Sequence, residues 1–238
     1  MKAMIFAAGR GERMRPLTDS CPKPLLKVRG RPLIAWHLFN LAKAGFTEVV
    51  INHAHLGHLI EQELGDGSAY GLKIAYSAEG TALETAGGIA FARHLLGEDP
   101  FLAIAADVWC PHFDFSQATD VLKDEDMWGK PYPHDRRDLG WLWLVKNPPH
   151  HPEGDFALNS FAIANEGAPR LTFSGIGVYR PSMFDSVKPG EAAKLAPLLR
   201  AYAEQGRIGG ELYSGQWTDV GTAERLAELN APLFPRKN

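Results

Sequence analysis

Short apolar runs alternate with helix-length amphipathic runs through the first half of the chain, and this alternation limits the fold more than any other feature. Lys2–Ala8, Glu48–Asn52, Lys73–Tyr76 and Phe101–Ala105 read as strands. Leu33–Ala44, Leu56–Leu64 and Thr85–Leu95 read as the helices between them, the first stopped by Gly45. Strands separated by whole helices are joined as parallel neighbours, through right-handed crossovers. The expectation is an α/β fold with a Rossmann-like, doubly wound mixed sheet. The second half has a different rhythm. Leu139–Val145, Phe156–Leu158, Phe161–Ala164 and Gly175–Tyr179 read as short strands with turn residues between them, and Glu191–Glu204 and Thr222–Leu229 as helices. These strands form a small antiparallel elaboration on the main sheet. Lys123–Arg137 is polar and reads as a mobile loop, and Pro235–Asn238 as a frayed tail.

Several classes of function are disfavoured by composition. The net charge of -3 offers no reason to expect nucleic acid, so a phosphate site would have to be a local basic pocket. The two cysteines, Cys21 and Cys110, have neither metal-binding spacing nor a framework of disulfides, which suits a reducing compartment. Gly9-Arg10 interrupts the first apolar run too early for a signal peptide, and no run approaches the ~20 apolar residues of a membrane span. A cytoplasmic protein with no membrane partner is expected. Oligomeric state is not readable.

The first strand runs into Gly9-Arg10-Gly11-Glu12-Arg13, followed by Pro22-Lys23-Pro24. A glycine turn after a strand can present backbone N–H groups to phosphates. The third glycine of the dinucleotide fingerprint is missing, as is the Gly-Lys-Ser/Thr of a Walker loop. Gly-x-Gly alone is more often only a turn. Arg13 and Lys23 shift the balance, because a polyphosphate needs cations as well as amides. No Gly-x-Ser-x-Gly elbow offers a covalent nucleophile. His53, His55 and His58 lack the partners of a zinc site and read as helix-start or surface residues, and Trp141 and Trp143 as packing.

The stretch AAGRGERMRPLTDSCPKPL resembles the signature of sugar-1-phosphate nucleotidylyltransferases, through Gly9, Gly11, Arg13, Pro16, Thr18, Pro22, Lys23 and Pro24. The resemblance continues through LETAGGI, ADVW, SGIGVYRP and WTDVGTAERL. It implies the nucleotide-diphospho-sugar transferase fold in a single domain over 1–238, with roughly 1–110 holding nucleotide and 111–238 holding sugar. It also implies a loop of Ala8, Gly9, Gly11 and Glu12 around a nucleoside triphosphate, with Arg13 and Lys23 as the catalytic cations. Glu79, Gly87, Gly88 and Ala105 would contact base or ribose. Trp109, Gly140, Glu153 and Asp155 are the candidates on the sugar side.

Asp107 ends an apolar strand, at the edge where open α/β sheets bind ligands. Asp219 precedes a helix start. Alone, either could be an ordinary loop or turn acid; the resemblance implies that they meet around Mg²⁺, whose preference is for oxygen ligands. Members of the family commonly carry Asn-Gly-Asp where this chain has Ala105-Ala106-Asp107, and Glu-Lys-Pro where it has Lys146-Asn147-Pro148. The run Asn147-Pro148 to Phe156, with INHAHLG and AAKLAPLLR, resembles the branch of the family that joins UTP to N-acetylmuramate 1-phosphate in peptidoglycan recycling. The alternatives are a guanylyl- or thymidylyltransferase on another hexose 1-phosphate, and a non-catalytic nucleotide-sugar sensor.

Overall fold

A computed structural model describes residues 1–122 and 138–232. The expectations for Lys123–Arg137 and Pro235–Asn238 lie outside the described residues. In chain order the elements are β1 (Ala3–Phe6), β2 (Lys27–Val28), β3 (Arg31–Pro32), α1 (Leu33–Lys43), β4 (Glu48–His53), α2 (Gly57–Leu64), β5 (Lys73–Ala78), α3 (Glu84–Leu96), β6 (Phe101–Ala105) and β7 (Val108–Trp109). Then come β8 (Gly140–Val145), β9 (Phe156–Asn159), β10 (Ala162–Ala164), β11 (Arg170–Tyr179), α4 (Leu195–Glu204), β12 (Ile208–Leu212), β13 (Thr218–Asp219) and α5 (Ala223–Asn230).

Nine strands form one mixed sheet in the order β5-β4-β1-β6-β11-β8-β12-β10-β9. β5, β4, β1 and β6 are parallel, with Ala3 opposite both Val49 and Leu102. β11 enters antiparallel to β6, so the sheet passes from one half of the chain to the other without a break. The apolar runs are continuous because both faces of the sheet are covered. Ile5, Ile51 and Ile104 face a layer containing Leu38 of α1 and Ile60 of α2. Their neighbours Met4, Val50 and Ala103 face a layer with Ile89 of α3 and Leu199 of α4. A third cluster joins Met14 beyond β1 to Trp109, Val220 and Leu226, and so draws the C-terminal segment back under the opening loop.

Besides two small two-stranded sheets, β2–β3 and β7–β13, that were not expected, the structure departs from the sequence reading at three places. The helix expected from Glu191 starts at Leu195. The segment before it serves another helix: the Ala193 carbonyl accepts the Ala86 and Gly87 N–H groups at the start of α3 (2.9 and 3.1 Å), satisfying donors that a first helical turn leaves unpaired. β12 was not expected, since Ile-Gly-Gly-Glu-Leu has little strand propensity. Its glycines allow close packing, as a Cβ on Gly209 would stand 2.5 Å from the Trp141 ring. β11 begins at Arg170, five residues before the expected start at Gly175, and its register slips between Phe173 and Ile176. Its first half pairs with β9 and its second with β6.

Candidate active site

Parallel strands end on a common edge, and three loops meet there. Ala7–Arg13 leaves β1, Asn52 lies near the end of β4, and Ala105–Asp107 leaves β6. They form one wall of a cavity of about 760 Å³. The other wall comes from Asp155 and Phe156, Phe173 and Gly175 of β11, and the first turns of α4.

Gly11 shapes the opening loop. Its φ of +70° is left-handed, and a Cβ there would lie 3.0 Å from Thr18 Cγ2 and 3.4 Å from Lys23 Cβ. The Thr18 hydroxyl donates to the Gly11 carbonyl at 2.9 Å, fixing the turn. Lys23, bracketed by prolines, is nearly buried and donates from Nζ to Asp107 Oδ2 at 2.6 Å. Asp107 keeps 40% of its side chain exposed, toward the cavity. Arg13 lines the cavity and has no hydrogen bond or ion pair among the described residues.

Asp219 reaches the neighbourhood of Asp107 by strand pairing. It sits opposite Val108 in the β13–β7 ladder, and the Val220 N–H donates to the Asp107 carbonyl at 2.7 Å. Arg225 donates to Asp219 Oδ2 at 2.5 Å and approaches His150 Nε2 at 2.6 Å. His150 Nε2 is also 2.9 Å from Asp219 Oδ1, but out of line for a hydrogen bond, so this buried oxygen has no aligned donor. A carboxylate in the β6–β7 turn and one on the adjacent β13, the latter with an unsatisfied buried oxygen, fit a hard divalent cation. No group of three or more ligating side chains occurs among the described residues, so such a cation would draw its remaining ligands from phosphates and water.

The surroundings of both cysteines favour the neutral thiol. Burial raises the pKa of the Cys110 thiol to about 12, and burial followed by the Glu63 charge raises that of Cys21. Behind the β6–β7 turn, His37 of α1 is fully buried. Burial lowers its pKa to about 4, against opposing contributions from the Val108 backbone and the Asp107 charge.

The expected residues fall in three places. Ala8, Gly9, Gly11, Glu12, Arg13, Lys23, Ala105, Asp107 and Asp155 all line the cavity. Asp219 stands behind it, paired with Arg225. The others are placed elsewhere. Glu79 does not face the cavity: its carboxylate accepts from the Asn52 amide at 2.6 Å and the Leu83 N–H at 2.9 Å. Gly88 makes room for that pair, since a Cβ there would lie 2.6 Å from Glu79 Oε1. Gly87 faces the Glu191 carbonyl rather than a base. Trp109 is 3% exposed and packs edge-on against Trp36, which removes it from sugar contact. Gly140 makes room for Tyr179 and Ile208, and Glu153 lies on an exposed turn. His53 is buried rather than superficial, with Nε2 2.7 Å from Glu61.

Asn52, Lys194, Arg200 and the Arg225–His150 pair were missed by sequence reasoning. Asn52 could have been found by the strand-end argument that picked Asp107. It joins β1 to Glu79, accepting the Ala7 N–H on Oδ1 at 3.1 Å while donating to the glutamate.

Comparison with known proteins places the chain among relatives. A sequence profile described as "Nucleotidyl transferase" matches residues 2–130. The chain is 54% identical over 235 residues to the N-acetylmuramate alpha-1-phosphate uridylyltransferase of Neisseria meningitidis, covering 97% of each chain. It is 34% identical to the protein of that name from Caulobacter vibrioides, covering 97% of this chain and 96% of the relative. Among solved structures, a Bacillus anthracis protein described as a "Putative Glucose-1-Phosphate Thymidylyltransferase" superposes with a TM-score of 0.80 at 22% identity, covering 97% of this chain and 94% of that one. At that identity the likeness concerns the fold alone.

Proposed function

The chain belongs to the nucleotidyl transferase family, and on that premise we propose that it transfers a uridylyl group from UTP to N-acetylmuramate α-1-phosphate, giving UDP-N-acetylmuramate and pyrophosphate. The observation that carries the choice of substrates is the 54% identity to the Neisseria uridylyltransferase across 97% of both chains.

The reaction brings two anions together, so catalysis is chiefly alignment and charge neutralisation. A phosphate oxygen of the sugar attacks the α-phosphorus of UTP, and pyrophosphate leaves in line. The loop from Gly9 to Arg13 binds the triphosphate, and the Arg13 guanidinium meets the departing pyrophosphate. Lys23 neutralises the α-phosphate and is aimed there by its ion pair with Asp107. Asp107 and Asp219 would hold Mg²⁺, which supplies charge to the phosphate oxygens. No residue forms a covalent intermediate. The setting we propose is reuse of peptidoglycan sugars in the cytoplasm.

Direct product analysis tests this reading. UTP and N-acetylmuramate 1-phosphate with Mg²⁺ should yield one UDP-sugar per pyrophosphate, and exchange of labelled pyrophosphate into UTP should need the sugar nucleotide or sugar phosphate. Release of UMP instead of a UDP-sugar would contradict it.

A further inference from the structure

The triphosphate loop does not hold all the positive charge of the cavity. The wall formed by α4 contributes two more cations, Lys194 and Arg200. Leu195 with Leu199, and Ala196 with Arg200, are spaced i and i+4, so one stripe of α4 lines the cavity from its first turn to Arg200.

Arg200 is half-buried, with its guanidinium 5.1 Å from the centre of the Phe156 ring. Among the described residues the guanidinium makes one weak polar contact, from Nη1 to the Asp155 backbone oxygen at 3.4 Å. The neighbouring Asp155 carboxylate is engaged elsewhere, by the Phe173 N–H at 2.8 Å and by His151 at 3.2 Å. Lys194 is exposed at the mouth and has no hydrogen bond or ion pair among the described residues.

A guanidinium stacked on an aromatic ring keeps its edge N–H groups free to bind an anion in bidentate fashion. Withdrawing that charge from water without an anion is costly. The phosphates are served by Arg13 and Lys23 on the other wall, so Arg200 is left for an anion on the sugar itself. Most hexose 1-phosphates carry none. N-acetylmuramate does: it is N-acetylglucosamine bearing a lactyl ether that ends in a carboxylate.

We infer that Arg200, assisted by Lys194, binds the lactyl carboxylate and is the residue by which this enzyme tells N-acetylmuramate 1-phosphate from N-acetylglucosamine 1-phosphate. The inference rests on the function proposed above. Selectivity then has two sources: the acid gains a charge-assisted pair, and the neutral sugar leaves the guanidinium unpaired in the closed complex.

The test measures kcat/KM with UTP for N-acetylmuramate 1-phosphate, its lactyl methyl ester and N-acetylglucosamine 1-phosphate. The parent should prefer the acid to the ester by at least about tenfold. Arg200→Gln should bring that preference within about twofold, chiefly through KM for the acid. Arg200→Lys keeps the charge but loses the fork, and should retain an intermediate preference. Turnover of the ester reports that each variant is folded. An undiminished acid preference in both variants, or equal losses on acid and ester, would overturn the inference. A parent that uses acid and ester equally well would defeat the inference alone. A parent that uses neither would defeat the proposed function, and the inference with it.

Discussion

Lys23 Nζ stands 2.6 Å from Asp107 Oδ2, across 84 positions of sequence, and so ties the loop after β1 to the loop after β6. The lysine is nearly buried and the aspartate is 40% exposed toward the cavity. On the function proposed above, the pair aims the lysine charge at the phosphates. Lys23→Met should lower kcat/KM by about 10²- to 10³-fold, the loss typical of one preorganised donor to developing charge. Its melting temperature should fall by only a few degrees, because the exposed carboxylate left behind can be solvated. A variant within threefold of the parent rate would remove Lys23 from the mechanism.

Metal removal gives the second prediction. Excess chelator should abolish turnover and Mg²⁺ should restore it. Asp219→Asn should weaken cation affinity by about tenfold or more. Titrating Mn²⁺ into the substrate-bound protein by electron paramagnetic resonance checks this independently of rate. Unchanged affinity in the variant would leave Asp219 as a partner of Arg225 only.

His37 gives a pH-dependent stability with a defined sign. Its folded pKa of about 4 lies below the ordinary 6.5, so the unfolded chain binds its proton first as pH falls. The stabilisation is complete above about pH 6.5 and is lost progressively toward pH 4 and below, amounting to roughly 3 kcal/mol. The melting temperature of the parent should drop across that window more steeply than that of His37→Leu. Parallel curves would show that His37 titrates normally.

Gly87 should be intolerant of any side chain, although it does not touch the cavity. An added Cβ would meet the Glu191 carbonyl oxygen and stand 3.0 Å from the Ala193 nitrogen, both backbone atoms that cannot rotate away. Gly87→Ala should cost about 1–3 kcal/mol, the usual range for overpacking. Because the same segment leads into Lys194, its KM for the sugar phosphate should rise as well. A variant as stable as the parent would mean that this contact is loose.

Local chemistry decided how much could be read from the sequence. The parallel core was legible because strands covered on both faces are continuously apolar, as at Phe101–Ala105. The tight turn after β1 was legible because its glycines stand out in the sequence, and Gly11 does take a left-handed φ of +70°. The packing of Trp109 and Gly140 was not legible, because a residue near a site on the chain can turn into the core, as Trp109 does against Trp36. Lys194 and Arg200 were missed because an ordinary amphipathic helix also carries such charges. Only the fold shows that this stripe of α4 faces a cavity. Asp219 was singled out from its resemblance to a motif, whereas its partner Arg225 is visible only in the structure.

The central claim is tested most directly by competition among substrates. The purified protein is given equimolar UTP, GTP and dTTP with Mg²⁺, together with equimolar 1-phosphates of N-acetylmuramate, N-acetylglucosamine and glucose, and the products are weighed by mass spectrometry. The account predicts UDP-N-acetylmuramate as the dominant product, with matching pyrophosphate. A guanylylated or thymidylylated sugar in excess, a UDP-hexose in place of the muramate, or no nucleotide sugar at all would contradict it.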